Sequence, residues 1–266
     1  VAPTWVFEHL KKYPGNHIKM DLKPIDLTLF EDCAKPIEAK KEKFTFFCPQ
    51  RMGIPKGTDI LWEALKFCKS DFEILQVDWR DTGTEEEDHS SLNLRNNLPK
   101  QVKLIPMIKR KEMPRYYQWC DAVIGNLRIG SFEYVELEAV MCKKPVINFT
   151  DKKISIILDG EEIESPFIPK NNDLKSIAEI IDKFVLSNEF RENIFKKEYE
   201  FVQNISNPKK AGEWWDSLFT KITSENSSID KKSSKMILKF RMISFLIANR
   251  LYYKKFKTII RDKHDT

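Results

Sequence analysis

From Lys43 onward, short apolar runs alternate with segments whose apolar residues recur every three or four positions. Phe44–Cys48 is one such run, and Asp59–Lys69 after it sets Ile60, Leu61, Ala64, Leu65 and Phe67 at helical spacing. The pattern goes on to predict strands at Phe72–Trp79, Val102–Met107, Asp121–Gly125 and Pro145–Phe149. Helices are predicted at Pro114–Cys120 and Phe132–Cys142. The acidic stretch Arg80–Asn97, which includes Glu85–Asp88, reads as a solvated loop. Strands that are apolar throughout, not alternating, have both faces covered, as in a parallel sheet. The fold class predicted is α/β, a Rossmann-like parallel sheet with helices on both faces.

Beyond Asp151 the pattern is mostly helical: Asn172–Leu186, Phe190–Gln203 and Lys209–Ile222, the last carrying Trp214 and Trp215 as candidate core anchors. Thr223–Lys232 is polar and Ser-rich, a linker in this reading. Leu22–Phe30 forms a short extended element leading towards the sheet. Three regions result: residues 1–42 as a remnant of an inter-domain region, 43–222 as the Rossmann-like domain with its closing helices, and 223–266 as linker and basic tail.

Charge sharpens that division. The net charge is +5, yet Asp230–Thr266 holds 11 Lys/Arg against 3 Asp, a balance of +8, which leaves −3 for the rest. A mildly acidic body argues against nucleic acid as its partner. The five cysteines (Cys33, Cys48, Cys68, Cys120, Cys142) are widely spaced, and the four histidines lie far from any cysteine pair. Neither a disulfide framework nor a zinc site is expected, and a reducing, cytoplasmic setting is.

Candidate chemistry concentrates in two segments. In Cys48-Pro-Gln-Arg-Met-Gly-Ile-Pro-Lys-Gly57, Arg51 and Lys56 sit on a strand-to-helix loop, and Gly53 and Gly57 allow close backbone approach. A planar guanidinium and a point-charge ammonium there suit a phosphate or diphosphate, at the sheet edge where α/β folds bind ligands. A basic surface turn would have the same composition. In the second segment, Gly130 and Ser131 precede a helix, with Ser131 the expected amino-terminal cap and its free amides favouring an anion. Glu138 lies two turns further on, where a carboxylate can accept from two neighbouring hydroxyls, whereas Glu133 and Glu136 read as solvated helix charges.

Taken together and in order, these segments resemble the donor-binding half of GT-B retaining glycosyltransferases, the large group that includes sucrose synthases. The matching stretches are Ile25–Phe30, Arg51 with Lys56 and Gly57, Asp121–Ile124 before the Gly130 turn, and Leu137–Met141 with Lys144–Ile147. The resemblance implies that Arg51 and Lys56 neutralise the diphosphate of a sugar nucleotide as it leaves, with no metal or other cofactor required. It implies that amides around Ser131, Phe132 and Glu133 cradle that diphosphate, that Glu138 holds the ribose, and that the base rests near Met107–Lys109. The family's usual pair of glutamates, seven residues between them, is incomplete: counting back from Glu138 lands on Gly130, so the contact of the first to the donor sugar is not carried over. A domain for the glycan, lipid or protein acceptor would precede this one, so the sequence reads as a piece of a longer enzyme. A non-catalytic module descended from such an enzyme is the competing reading, and a sugar-nucleotide epimerase of related fold lacks sequence support. In the tail, residues 233–257 combine Lys/Arg with aromatics around an uncharged run of eight residues, Met242–Asn249. That is too short to span a bilayer; such a helix either packs on the domain or lies on an anionic cytoplasmic membrane face.

Overall fold

The computed structural model describes residues 18, 20–26, 30, 36–79, 85–152, 156–158 and 161–225. The basic segment 233–257 lies outside the described residues. Strands β1 (Phe44–Cys48), β2 (Phe72–Val77), β3 (Val102–Ile105), β4 (Ala122–Ile124) and β5 (Val146–Ile147) form one wholly parallel sheet, ordered β3-β2-β1-β4-β5. Helices α1 (Thr58–Leu65), α2 (Glu85–Asn96), α3 (Met113–Trp119), α4 (Tyr134–Met141), α5 (Leu174–Leu186) and α6 (Asn188–Ile205) accompany it, and α7 (Pro208–Glu225) follows in the chain. The chain runs from central β1 to one edge, then returns to the other side at β4. The carboxyl ends of β1 and β4 are therefore neighbours at the point where strand order reverses, the place such sheets offer to a ligand.

Alternate side chains of each strand go to opposite faces. Phe46, Ile74, Ala122, Ile124 and Ile147 bury with Leu61, Leu65, Ile177, Ile181 and Phe184 of α1 and α5. Phe47, Leu75, Val123 and Val146 bury with Tyr117, Leu137, Val140, Phe201 and Val202 of α3, α4 and α6. Phe46 and Phe47 are both fully buried, each contributing about 1.5–3 kcal/mol of apolar burial on its own side. This two-sided demand is why apolar residues occupy both faces of the strands, with Thr45, Glu73, Gln76 and Lys103 the polar exceptions.

Three expectations are corrected. The polar stretch before β3 is helical over Glu85–Asn96, not a loop. Its anchors are few but share one face: Leu94 packs against the core, the Ser91 hydroxyl donates to Met52 O at 3.0 Å, and Arg95 pairs with Asp78 at 2.8 Å. Between β5 and α5, where no strand was expected, β6 (Ile156–Leu158) and β7 (Glu161–Ile163) pair antiparallel. The described part of Leu22–Phe30 adds no strand to the sheet. It runs alongside instead, with Lys23 N–H donating to Ile205 O at 2.9 Å, and Ile25 and Phe30 buried in the core.

The chain divides into two compact units, Val1–Ala211 and Gly212–Thr266. In the second, the described residues continue α7 to Glu225, so the expected linker is helical at its start. There Trp214 and Trp215 meet edge to face at 5.2 Å, and Trp215 stacks on Phe219 at 5.5 Å. The described cysteines are free thiols. No described helix is long and apolar enough to cross a membrane.

Candidate functional site

The loops that follow β1 and β4 are laced together. Ile54–Lys56 forms a 3₁₀ turn closed by Gly57 at φ 77°. A Cβ at Gly57 would stand 3.0 Å from the Leu127 carbonyl carbon and 3.1 Å from Arg128 N, so both backbone conformation and space call for glycine. Leu127 N–H donates to Lys56 O at 3.2 Å, and Arg128 Nε donates to Ile54 O at 2.6 Å while its other end pairs with Asp59. Arg51 is half-buried in the same loop, beside Met52, whose N–H donates to Trp79 O at 2.8 Å beyond β2.

The start of α4 completes this end of the site. Gly130 has φ 77°, its carbonyl accepts from Asp151 N–H at 2.9 Å, and an added Cβ would come within 3.0 Å of the Asp151 side chain. Lys56 Nζ reaches across to Glu133, donating to Oε1 at 2.6 Å and also to Oε2. The first loop's cation and the helix start are thus in contact. The cap is not Ser131, as expected, but Glu133: its side chain accepts from the Glu136 amide, and the Glu136 carboxylate accepts from the Glu133 amide at 2.7 Å. Such a reciprocal capping box satisfies two orphan amides where a serine would satisfy one. Ser131 and Phe132 are buried just before it, and neither of their amides donates to a described residue.

Glu136, expected in solvent, is fully buried. Besides the Glu133 amide, it accepts from Gln50 Nε2 at 2.8 Å and Asn126 N–H at 3.1 Å. A Cβ at Gly125 would collide with the same carboxylate. One side chain therefore ties together the loop after β1, the loop after β4 and the head of α4. Burial pushes its pKa up, Glu133 adds to the rise, and the amides that bond it oppose it. Glu133, the other glutamate read as solvated, keeps about a third of its side chain exposed but is committed to Lys56.

Glu138 faces a different setting. It is buried, and Arg110 donates to its Oε1 at 2.6 Å, with the Tyr117 hydroxyl 3.4 Å from Oε2. Burial raises its pKa, and Arg110 and Tyr117 work against that rise. Arg110 opens the 3₁₀ turn Arg110–Glu112 after β3, three residues past Met107, which is largely exposed on the same loop. Sequence reasoning missed Arg110, whose only signal was a cation directly after the expected base loop. It also missed Lys23, whose Nζ donates to Phe132 O and lies 4.3 Å over the Phe132 ring. Among the described residues no group of three His, Cys, Asp or Glu side chains is placed to hold a metal ion.

Comparison with curated proteins finds no match. Solved structures resemble the fold at low identity. Sucrose-phosphate synthase from Thermosynechococcus elongatus is 17% identical with a TM-score of 0.62, over 85% of this chain and 58% of that one. A glycosyltransferase from Rickettsia africae is 18% identical with a TM-score of 0.61, over 83% and 62%. HepE from Anabaena, solved with UDP and glucose, is 18% identical with a TM-score of 0.55, over 74% and 55%. The chain thus spans little more than half the length of these relatives. The family model for glycosyl transferases group 1 matches residues 30–201, well over half of the sequence. The chain belongs to the group 1 glycosyl transferases, and its parallel sheet is their Rossmann-like GT-B domain.

Proposed function

We propose that this chain supplies the donor-binding half of a glycosyltransferase that moves a sugar from a nucleoside diphosphate to an acceptor with retention at the anomeric carbon. The observation that carries the reading is the meeting of Lys56 with the head of α4, at the reversal point of the sheet. In the reaction, the bond from the anomeric carbon to the diphosphate oxygen breaks as the acceptor oxygen bonds to that carbon on the same face, and the acceptor's hydroxyl proton passes to the departing diphosphate. Negative charge grows on the departing diphosphate. Lys56 and Arg51, with the amides of Ser131 and Phe132, are the groups that would meet that charge, and such preorganised donors are worth most in a site sheltered from water. No metal is needed for this in our reading.

Glu138 would hold the ribose hydroxyls, and the Met107–Lys109 loop would border the base. HepE binds UDP-glucose, which makes uridine nucleotides the first choice of probe. The acceptor would meet the donor from a domain or partner beyond this sheet. A non-catalytic descendant is the second reading, favoured by Gly130 standing where the family's first glutamate would be. Isothermal titration with UDP, GDP and ADP tests the first: heat with one of them supports the donor site, and no heat with any refutes it. Release of free sugar or a glycosylated product from a bound UDP-sugar would then argue against the non-catalytic reading.

A further inference from the structure

We infer that the Glu133 carboxylate is an internal anion that fills the diphosphate cradle and must be displaced by the donor. The inference rests on the donor-site reading above and assigns its affinity control. Glu133 takes the same two kinds of donor that a phosphate takes at a helix start: a lysine ammonium, Lys56 Nζ, and a first-turn amide, that of Glu136. The pair is lopsided in exposure. The Lys56 side chain is only 16% exposed and that of Glu133 36%, so the cation is the enclosed partner and the carboxylate has a way out to water. An enclosed ammonium without a counter-charge is costly, and Glu133 removes that cost while the cradle holds no ligand.

A second lysine feels the same glutamates. Lys23 is tied to Phe132 O, and the acidic groups acting on it are Glu136, Glu133 and Asp21, while burial pulls its pKa down. Glu136 cannot yield, because three donors from three segments hold it. Glu133 can. A diphosphate carrying two or more negative charges cannot share hydrogen-bonding range of Lys56 with a carboxylate, since like charges at about 4 Å repel by several kcal/mol even at an effective dielectric of 20. Donor binding would therefore turn Glu133 outward, and the carboxylate would tune affinity downward by competing for the same ammonium.

The test is isothermal titration of the full chain with sodium pyrophosphate, UDP, GDP and ADP, for the wild type, Glu133→Gln and Glu133→Ser. Serine retains a capping oxygen, and circular dichroism verifies that both variants fold. Both should bind pyrophosphate and the favoured nucleotide more tightly, by at least about threefold and by the same factor for each. Unchanged or weakened binding in folded variants, with a wild type that binds, overturns the inference and leaves the donor site standing. Absence of binding in all three proteins overturns the donor-site reading and this inference with it.

Discussion

Glu136 and Glu138 stand two residues apart on α4, both buried and both with raised pKa values, yet they are held in opposite ways. Glu136 is held by Gln50, Asn126 N–H and Glu133 N–H, all internal and brought from three segments. Glu138 is held chiefly by Arg110, whose side chain is 65% exposed and rides on the loop after β3. One carboxylate is saturated by the fold; the other is buried with a partner that can leave. In the proposed reading, a buried acid marks a ligand site only when its partner is removable, and burial or pKa alone would not separate the two.

The sharpest way to break this contrast is truncation. Glu136→Ala leaves three donors without an acceptor, each costing about 1–3 kcal/mol, so urea unfolding should show a loss of at least about 3 kcal/mol. Glu138→Ala should cost much less, because Arg110 can turn to water. Equal losses would erase the distinction. Lys56→Ala and Arg51→Ala should each weaken nucleoside diphosphate binding by about 1–3 kcal/mol with little change in unfolding, the scale of a charge-assisted hydrogen bond. Gly130→Ala forces a left-handed φ on a residue with a Cβ and should cost about 1–2 kcal/mol, read as a lower midpoint in thermal melts.

A third buried glutamate extends the comparison to pH. Glu198 of α6 accepts from Val146 N–H at 3.0 Å, its other oxygen meets no described donor, and burial raises its pKa well above the ordinary range. Folded, it holds its proton more tightly than unfolded. Its contribution thus favours the fold at acid pH and is lost as pH rises from the ordinary carboxylate range through the raised value, with a slope of at most about 1.4 kcal/mol per pH unit. Glu198→Gln should flatten that fall; an unchanged pH profile would mean the carboxyl is not the cause.

The strands were legible because burial on both faces leaves mostly apolar runs, such as Phe44–Cys48 and Val146–Ile147. Helix α2 was not, since among its described apolar side chains only Leu94 packs against the core and the acidic residues at its start dominate the composition. The candidate site divides the same way. Lys56, Gly57, Gly130 and Glu138 announce themselves by type and spacing along the chain. The burial of Glu136 depends on Gln50, 86 residues away, and the pairing of Glu138 on Arg110, 28 residues away; side-chain meetings across loops leave no local mark. The Ser131 cap failed for a related reason: composition favours serine, but the reciprocal bonds of Glu133 and Glu136 satisfy more of the helix end.

The most direct measurement compares Lys56→Ala with Glu138→Gln by titration against both pyrophosphate and the nucleotide that the wild type prefers. If the cradle at the head of α4 takes the diphosphate and Glu138 takes the ribose, Lys56→Ala weakens both ligands, whereas Glu138→Gln weakens the nucleotide alone. Equal loss of both ligands in Glu138→Gln, or full binding of both in Lys56→Ala, would contradict that arrangement.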